Sequence, residues 1–336
     1  MPKTNKKTNT KRNISKVMKA NVFADKAKLT DEQWRELRRE GIGGSDASAI
    51  VGMNPYVSPF SLYMDKVGLL PEKEDNEAMR QGRDLEEYVA QRFREATEED
   101  GIPKKTKQCG YMLQHPKYPF MLANVDRLIV GENAGLECKT TSVMNLKKFK
   151  NGEFPEQYYV QCVHYLAVTG ADRWYLAVLI LNQGFKYFVI ERDENEIAAL
   201  IEEEKAFWEK VQNETPPSAD GMDATSNALD DIYTGADDSD GMAVNITQGS
   251  IVENLLALEV EKKALEKEIE KCKNIIKAEM GDAVYGTYSN YKVSWTTQTK
   301  KTFDVSALIK AHPRLSIDKY YKTTNFRKFT IKEIKR

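Results

Sequence analysis

An α/β (α+β) fold is what this sequence predicts, and three observations point to it. Between about residues 30 and 212, segments with apolar residues at helical spacing alternate with short strand-like runs. One of those runs, 173–181 (RWYLAVLIL), is almost continuously apolar, the pattern of a strand covered on both faces. Beyond an acidic stretch, a heptad pattern from Leu255 to Ile276 and an alternating pattern after Gly281 predict a long C-terminal helix and a small β-rich unit.

The bulk numbers narrow the class. With 336 residues, 41% hydrophobic and 30% charged, the chain can bury a sizeable core in one large domain or two smaller ones. No apolar run approaches the roughly 18 to 20 residues that span a bilayer, and the basic N-terminus has no apolar stretch behind it, so a cytoplasmic protein with no membrane contact is expected. Cys109, Cys138, Cys162 and Cys272 are scattered without a C-x-x-C pair, which argues against zinc, an iron–sulfur cluster or a disulfide framework.

The net charge of −1 conceals segregation along the chain. Residues 1–30 carry nine Lys or Arg against Asp25 alone, residues 213–241 carry eight acids and no base, and from Gly286 onward twelve bases face three acids. Basic ends suit a polyanion, because each neutralised phosphate releases counterions.

The elements follow in order. Residues 1–28 form a basic arm without the apolar content to fold, and a globular domain spans 29–212. Thr30 to Gln33 reads as a capping box that starts a helix ending at Gly41. The stretch Gly41-Ile-Gly-Gly-Ser-Asp-Ala-Ser48 is a glycine-rich turn into a second helix, a plausible phosphate site. Residues 77–96 form an amphipathic helix through Met79, Leu85, Val89 and Phe93, with Glu86 on the side opposite Phe93. Strands are expected over 109–114 and 119–130, a hairpin loop at 131–135, and a strand over 136–140. A helix at 155–169, strands at 173–181 and 185–191, and a helix at 193–212 complete the domain. Residues 213–245 read as an acidic flexible linker, and 246–336 as the heptad helix followed by a basic hairpin unit, with a further strand over 326–334. Its Asp237–Gly241 run fails as a calcium loop, since Ala236 and Thr247 stand where the end ligands belong. Three heptads with Lys262 at an inner position suit packing within the chain as well as dimerisation.

The chemistry-bearing pattern is Asp126 followed by Glu137-Cys138-Lys139. Alternation along a strand points Glu137 and Lys139 the same way and Cys138 the other, and a hairpin brings Asp126 beside them. Two carboxylates and the Cys138 carbonyl offer hard oxygen ligands to Mg²⁺, while Lys139 suits an attacking water and developing phosphoryl charge. For an isolated match of this kind, an ion pair on a solvated strand face is the alternative. Tyr158, Gln161 and Tyr165 make a polar stripe on the next helix, separate from the Tyr159, Cys162, Val163 and Leu166 stripe expected to face the core.

Taken together, Gly41–Ser48, Gly82-x-x-x-Glu86, Asp126, Glu137-x-Lys139 and Tyr158-Tyr-Val-Gln161 resemble the YqaJ viral recombinases and, more distantly, the lambda-exonuclease-like nucleases, over about 30–212. The resemblance implies a restriction-endonuclease-like PD-(D/E)XK core, a mixed β-sheet flanked by helices, that degrades one strand of duplex DNA from an end, 5′ to 3′, for phage-type recombination. It implies Glu86, Asp126, Glu137, Lys139 and Gln161 as the catalytic set, with Glu86, Asp126, Glu137 and the Cys138 carbonyl holding one or two Mg²⁺ ions, for which Mn²⁺ substitutes. Ser45 with Arg38 or Arg39 is the implied pocket for a terminal 5′-phosphate, with Tyr158 and Tyr165 supporting. Double-stranded DNA ends, a RecT-like single-strand annealing protein and a homo-oligomer are the implied partners. An endonuclease or nickase of the same fold, and a catalytically silent DNA-binding scaffold, are the rival readings.

Overall fold

A run of parallel pairing forms the spine of the fold: Ala134–Thr141 lies along Arg173–Ile180, with Ala134 opposite Arg173 and Thr141 opposite Ile180. The computed structural model in which it is seen describes residues 18–71, 75–234, 244, 246–312, 317–322 and 328–331. The chain divides into two compact units, residues 1–234 with 326–336, and residues 235–325.

The first unit runs β1 (Asn21–Asp25), α1 (Asp31–Arg39), α2 (Gly44–Ile50), α3 (Pro59–Lys66) and α4 (Glu77–Glu99), then β2 (Thr106–Gln108), β3 (Tyr111–Gln114), β4 (Leu122–Ala123), β5 (Arg127–Ile129) and β6 (Ala134–Thr141). It continues with α5 (Glu156–Thr169), β7 (Arg173–Ile180), β8 (Gly184–Glu191), α6 (Glu194–Gln212) and α7 (Asp223–Ile232). Five strands form one sheet in the order β2-β5-β6-β7-β8, and only its β6–β7 neighbours are parallel. The sheet is therefore mixed, with α5 as the crossover that parallel neighbours need.

Pleat alternation explains why 173–181 reads as unbroken apolar sequence. Trp174, Leu176, Val178 and Ile180 pack on the α5 side with Cys162, Val163 and Leu166. Tyr175 and Ala177 pack on the other face, against Val89, Ala90 and Phe93 of α4. A second sheet, β1-β3-β4, completes the main core.

Several expectations change. The strand expected over 119–130 is broken at Asn124–Asp126, where the chain passes from β4 in one sheet to β5 in the other; the strand expected over 109–114 is present as β3, and β2, just before it, is an additional strand that joins the other sheet. The basic arm is partly ordered: Asn21–Asp25 pairs antiparallel with Tyr111–Gln114, and Met18 and Ala20 are buried. In place of a featureless linker, residues 223–232 form α7, whose Thr225, Ala228, Leu229 and Ile232 fall at helical spacing and pack beside Phe60 and Phe207 or bond Ser58, while its aspartates stay exposed. Of the strand expected over 326–334, residues 328–331 are described and are not in a strand; the rest lies outside the described residues.

The second unit contains α8 (Gly249–Met280), the hairpin β9 (Tyr285–Tyr288) and β10 (Tyr291–Ser294), and α9 (Val305–Ala311). No residue of α8 is buried, and its heptad residues Leu258, Leu265 and Ile269 are exposed. All four cysteines are free. Among the described residues, no helix is long and apolar enough to cross a membrane.

Candidate active site

The strand alternation in β6 sets the centre of the site. Glu137 and Lys139 point together to the α5 side, with Lys139 Nζ 2.6 Å from Glu137 Oε1, while the Cys138 side chain packs with the α4-side cluster. Gln161, from α5, donates from Nε2 to the same Glu137 oxygen at 2.7 Å and to the Tyr165 hydroxyl at 2.9 Å. Tyr165 in turn donates to the Asn124 carbonyl at 3.1 Å, so this side-chain chain ends at the crossing that carries Asp126. Lys139 Nζ lies 5.3 Å from the centre of the Tyr158 ring. The polar stripe of α5 is therefore as buried as the apolar one, because it is satisfied by Glu137 and not by water.

Asp126 is held beside this pair through the backbone. Its Oδ2 accepts from the Cys138 N–H at 2.8 Å. Burial raises the Asp126 carboxyl well above its usual range, and the charges of Glu137 and Glu86 push it further the same way. For Lys139, burial alone would lower the ammonium, but the charge and hydrogen bond of Glu137, with Asp126 adding, hold it above its ordinary value. Glu137 Oε2 is buried and has no hydrogen-bond partner among the described residues.

The position of Glu86 corrects the expectation. Residues seven apart on a helix are nearly in line, so Glu86 lies on the same side of α4 as Phe93, not opposite it. Glu86 Oε1 accepts from Arg127, and the same Arg127 nitrogen donates to the Asp126 carbonyl at 2.8 Å, while its other terminal nitrogen donates to Glu87 at 3.0 Å. Among the described residues, no three of His, Cys, Asp and Glu converge as a closed metal-binding cluster. The donors nevertheless fit a divalent cation. An orphaned buried carboxylate oxygen and an Asp126 facing two further acids are both relieved by positive charge. No motif in the sequence marks Arg127; the one signal for it is an arginine directly before the apolar pair Leu128-Ile129, where burial demands acidic partners.

The glycine-rich turn places the remaining residues. Arg38 Nη2 donates to Ser45 Oγ at 3.2 Å and the guanidinium carbon lies 5.0 Å from the Trp34 ring centre, whereas Arg39 turns away to Asp65 at 3.4 Å. Only Arg38 of the two is thus beside Ser45. Asp46, buried behind them, accepts from Lys66 Nζ at 2.7 Å and from the Gly43 N–H at 2.9 Å. Burial would raise its carboxyl, but Lys66, Arg38 and the Gly43 N–H together bring it down to about 2. Gly44 sits so close to α5 that an added Cβ would lie 2.6 Å from Tyr165 Cε1 and 3.0 Å from Gln161 Cγ. The turn and the Glu137–Gln161 pair therefore share one packed wall.

The profile of the YqaJ-like viral recombinase domain matches residues 33–172. The uncharacterized protein YqaJ of Bacillus subtilis (strain 168) is 38% identical over 320 residues, covering 94% of this chain and 98% of that protein. Among solved structures, an alkaline exonuclease from Laribacter hongkongensis is similar at 21% identity and a TM-score of 0.44, over 55% of this chain and 94% of that one. A phage related exonuclease from Haemophilus somnus 129PT is similar at 13% identity and a TM-score of 0.39, over 54% and 97%.

Proposed function

The chain belongs to the YqaJ-like viral recombinase family, and from that premise we propose that it is a divalent-metal-dependent DNA exonuclease, hydrolysing duplex DNA from an end in the 5′ to 3′ direction. The observation that carries this reading is the pairing of Lys139 with one oxygen of a buried Glu137 whose other oxygen is left without a partner, beside Asp126. A decorative surface ion pair has neither that burial nor an orphaned acceptor.

In this reading Asp126, Glu137, Glu86 and the Cys138 carbonyl hold the cation. Bound Mg²⁺, with Mn²⁺ as substitute and one or two ions, supplies a Lewis acid at the phosphate oxygen. The chain's own residues do the rest. Gln161 fixes one oxygen of Glu137, so the carboxylate has one orientation. Lys139, always charged at neutral pH, orients water towards phosphorus and offsets the charge that grows on the phosphoryl oxygens. Tyr158 and Tyr165 close the wall behind these groups. Ser45 and Arg38 receive a terminal 5′-phosphate at the turn, a site the Arg38 guanidinium suits through charge-assisted bonds. The freed single strand would go to a RecT-like annealing protein, with the nuclease acting in the cytoplasm as a homo-oligomer.

Linear and covalently closed circular duplex, each incubated with Mg²⁺ or with chelator, test the reading. Linear DNA should be resected and circles spared, and Asp126→Ala or Glu137→Ala should abolish cleavage with duplex binding largely intact. Cut circles would make the protein an endonuclease or nickase. Binding without cleavage would make it a scaffold, and full activity in either variant would reject the site.

A further inference from the structure

We propose that Arg127 is a positioning residue of this centre: it fastens Glu86 to the backbone at Asp126, so that a carboxylate from α4 stands ready for the cation. The proposal rests on the metal-dependent reading above and names a residue that reading does not use. Three observations carry it.

Arg127 is 3% exposed, in a short strand whose neighbours are Gln108 and Leu136. A buried guanidinium needs several acceptors, and among the described residues its terminal nitrogens find them on Glu86, Glu87 and the Asp126 carbonyl, while Nε has none. One nitrogen bridges the helix carboxylate and the loop that carries the candidate ligand Asp126. The half of α4 that precedes Val89 has no buried residue, with Met79 and Tyr88 exposed and the Glu86 side chain about a third exposed. Without a tether, a glutamate there samples many rotamers, and a cation must order it on binding. Only a planar fork joins two carboxylates and a carbonyl in fixed geometry, which distinguishes arginine from lysine at this position.

A competing role makes the opposite prediction. Formally Glu86, Glu87, Asp126 and Glu137 face Arg127 and Lys139, with Arg94 paired to Glu87 as well. If Arg127 only neutralised Glu86, removing it would leave the centre more negative and cation binding would tighten. If it positions Glu86, binding weakens whether or not the charge is kept.

Calorimetric titration of the full chain with MgCl₂ and with MnCl₂, without DNA, separates these. For both Arg127→Lys and Arg127→Met, cation Kd should weaken about 10-fold or more, as for other outer partners of metal ligands. In the cleavage assay, the metal concentration for half-maximal rate should rise by a similar factor, while the rate at saturating metal changes much less. Added to Glu86→Gln, Arg127→Lys should cost no further affinity, since the group it positions is gone. If Arg127→Met does not fold, Arg127→Lys, which keeps the buried charge, carries the comparison. Unchanged or tighter binding in the folded variants overturns the proposal, even where thermal stability falls, because Arg127 is then a structural group or a competitor. An absence of cation binding by the unmodified chain overturns the metal reading itself and this inference with it.

Discussion

Replacing Gly44 by alanine probes the contact between the glycine-rich turn and helix α5, which carries Gln161. The new Cβ would meet the Tyr165 ring at 2.6 and 2.8 Å, and Gln161 Cγ at 3.0 Å. Neither neighbour can move aside easily: both are buried, and the ring packs on Trp174 with centroids 5.1 Å apart. Restoring an ordinary 3.4 Å contact opens the α2–α5 gap by roughly 0.8 Å. Overpacking of this kind costs about 1–3 kcal/mol. For a unit of this size, that lowers Tm by roughly 2–12 °C. The displacement also falls on the Gln161–Glu137 and Tyr165–Asn124 hydrogen bonds. Misplacement approaching 1 Å slows catalysis by up to about 100-fold, so a fall of about 10- to 100-fold in cleavage rate is expected. Gly43→Ala is the control, because its Cβ would meet Asp46 at ordinary contact distances, Oδ2 at 3.5 Å and Cγ at 4.0 Å. Thermal unfolding and single-turnover cleavage of both variants decide the matter. A Gly44→Ala protein with unmodified Tm and rate, or a Gly43→Ala protein equally damaged, would refute the argument.

Three further outcomes are expected. Lys139→Ala should cost orders of magnitude in cleavage rate with cation affinity little changed; a variant whose sole defect is a higher Mg²⁺ requirement contradicts the role given to lysine. Asp46 titrates near 2 when folded, below its ordinary 3.8, so its stabilising effect is complete above about pH 4 and is lost as pH falls through 2. That contribution is about 2 kcal/mol, and Asp46→Asn, which strands the buried Lys66 ammonium, should cost about 3–5 kcal/mol in urea unfolding at neutral pH; a loss that is the same at pH 2 as at pH 6 would contradict it. Finally, a 5′-phosphorylated duplex should be resected about 10- to 100-fold faster than a 5′-hydroxyl one, by loss of roughly 1.5–3 kcal/mol of charged hydrogen bonding, and a Ser45→Ala, Arg38→Ala double variant should erase the difference. Equal rates on both ends in the unmodified chain discard the phosphate pocket.

What could be read in advance depended on how local the cause was. The helices α4 and α5, the strand β7 and the hairpin β9–β10 follow from periodicity within one segment, and each lies within a few residues of its expected place. The shared direction of Glu137 and Lys139 was equally local, a consequence of the pleat. The break at Asn124–Asp126 was not legible, because Val125 and Leu128 continue the apolar run and the change of sheet is decided by which strands lie alongside. The helix α7 was hidden by composition: its acids dominate the count although four positions at helical spacing do the packing. The side of α4 that carries Glu86 is legible from helix geometry alone, since seven residues turn through nearly two full circles. The Arg127 tether and the Asp46–Lys66 pair depend on residues 20 to 41 positions apart, which no reading of a single segment relates.

The parallel pairing of β6 with β7 also bears on the order in which the molecule matures. Glu137 stands opposite Leu176 and Lys139 opposite Val178, each rung joining residues about forty positions apart through the crossover helix. Before that loop closes, the chain has both side chains but no fixed register for either, and a slip of one residue would present Cys138 in their place. The same closure brings in Gln161, which lies on the crossover itself. Secondary structure can therefore form early, in helices and in the antiparallel hairpin of β7 with β8, while cutting competence waits for the slowest connection. In refolding, recovery of cleavage should lag recovery of helical signal, since Glu137, Lys139 and Gln161 come together only at that closure.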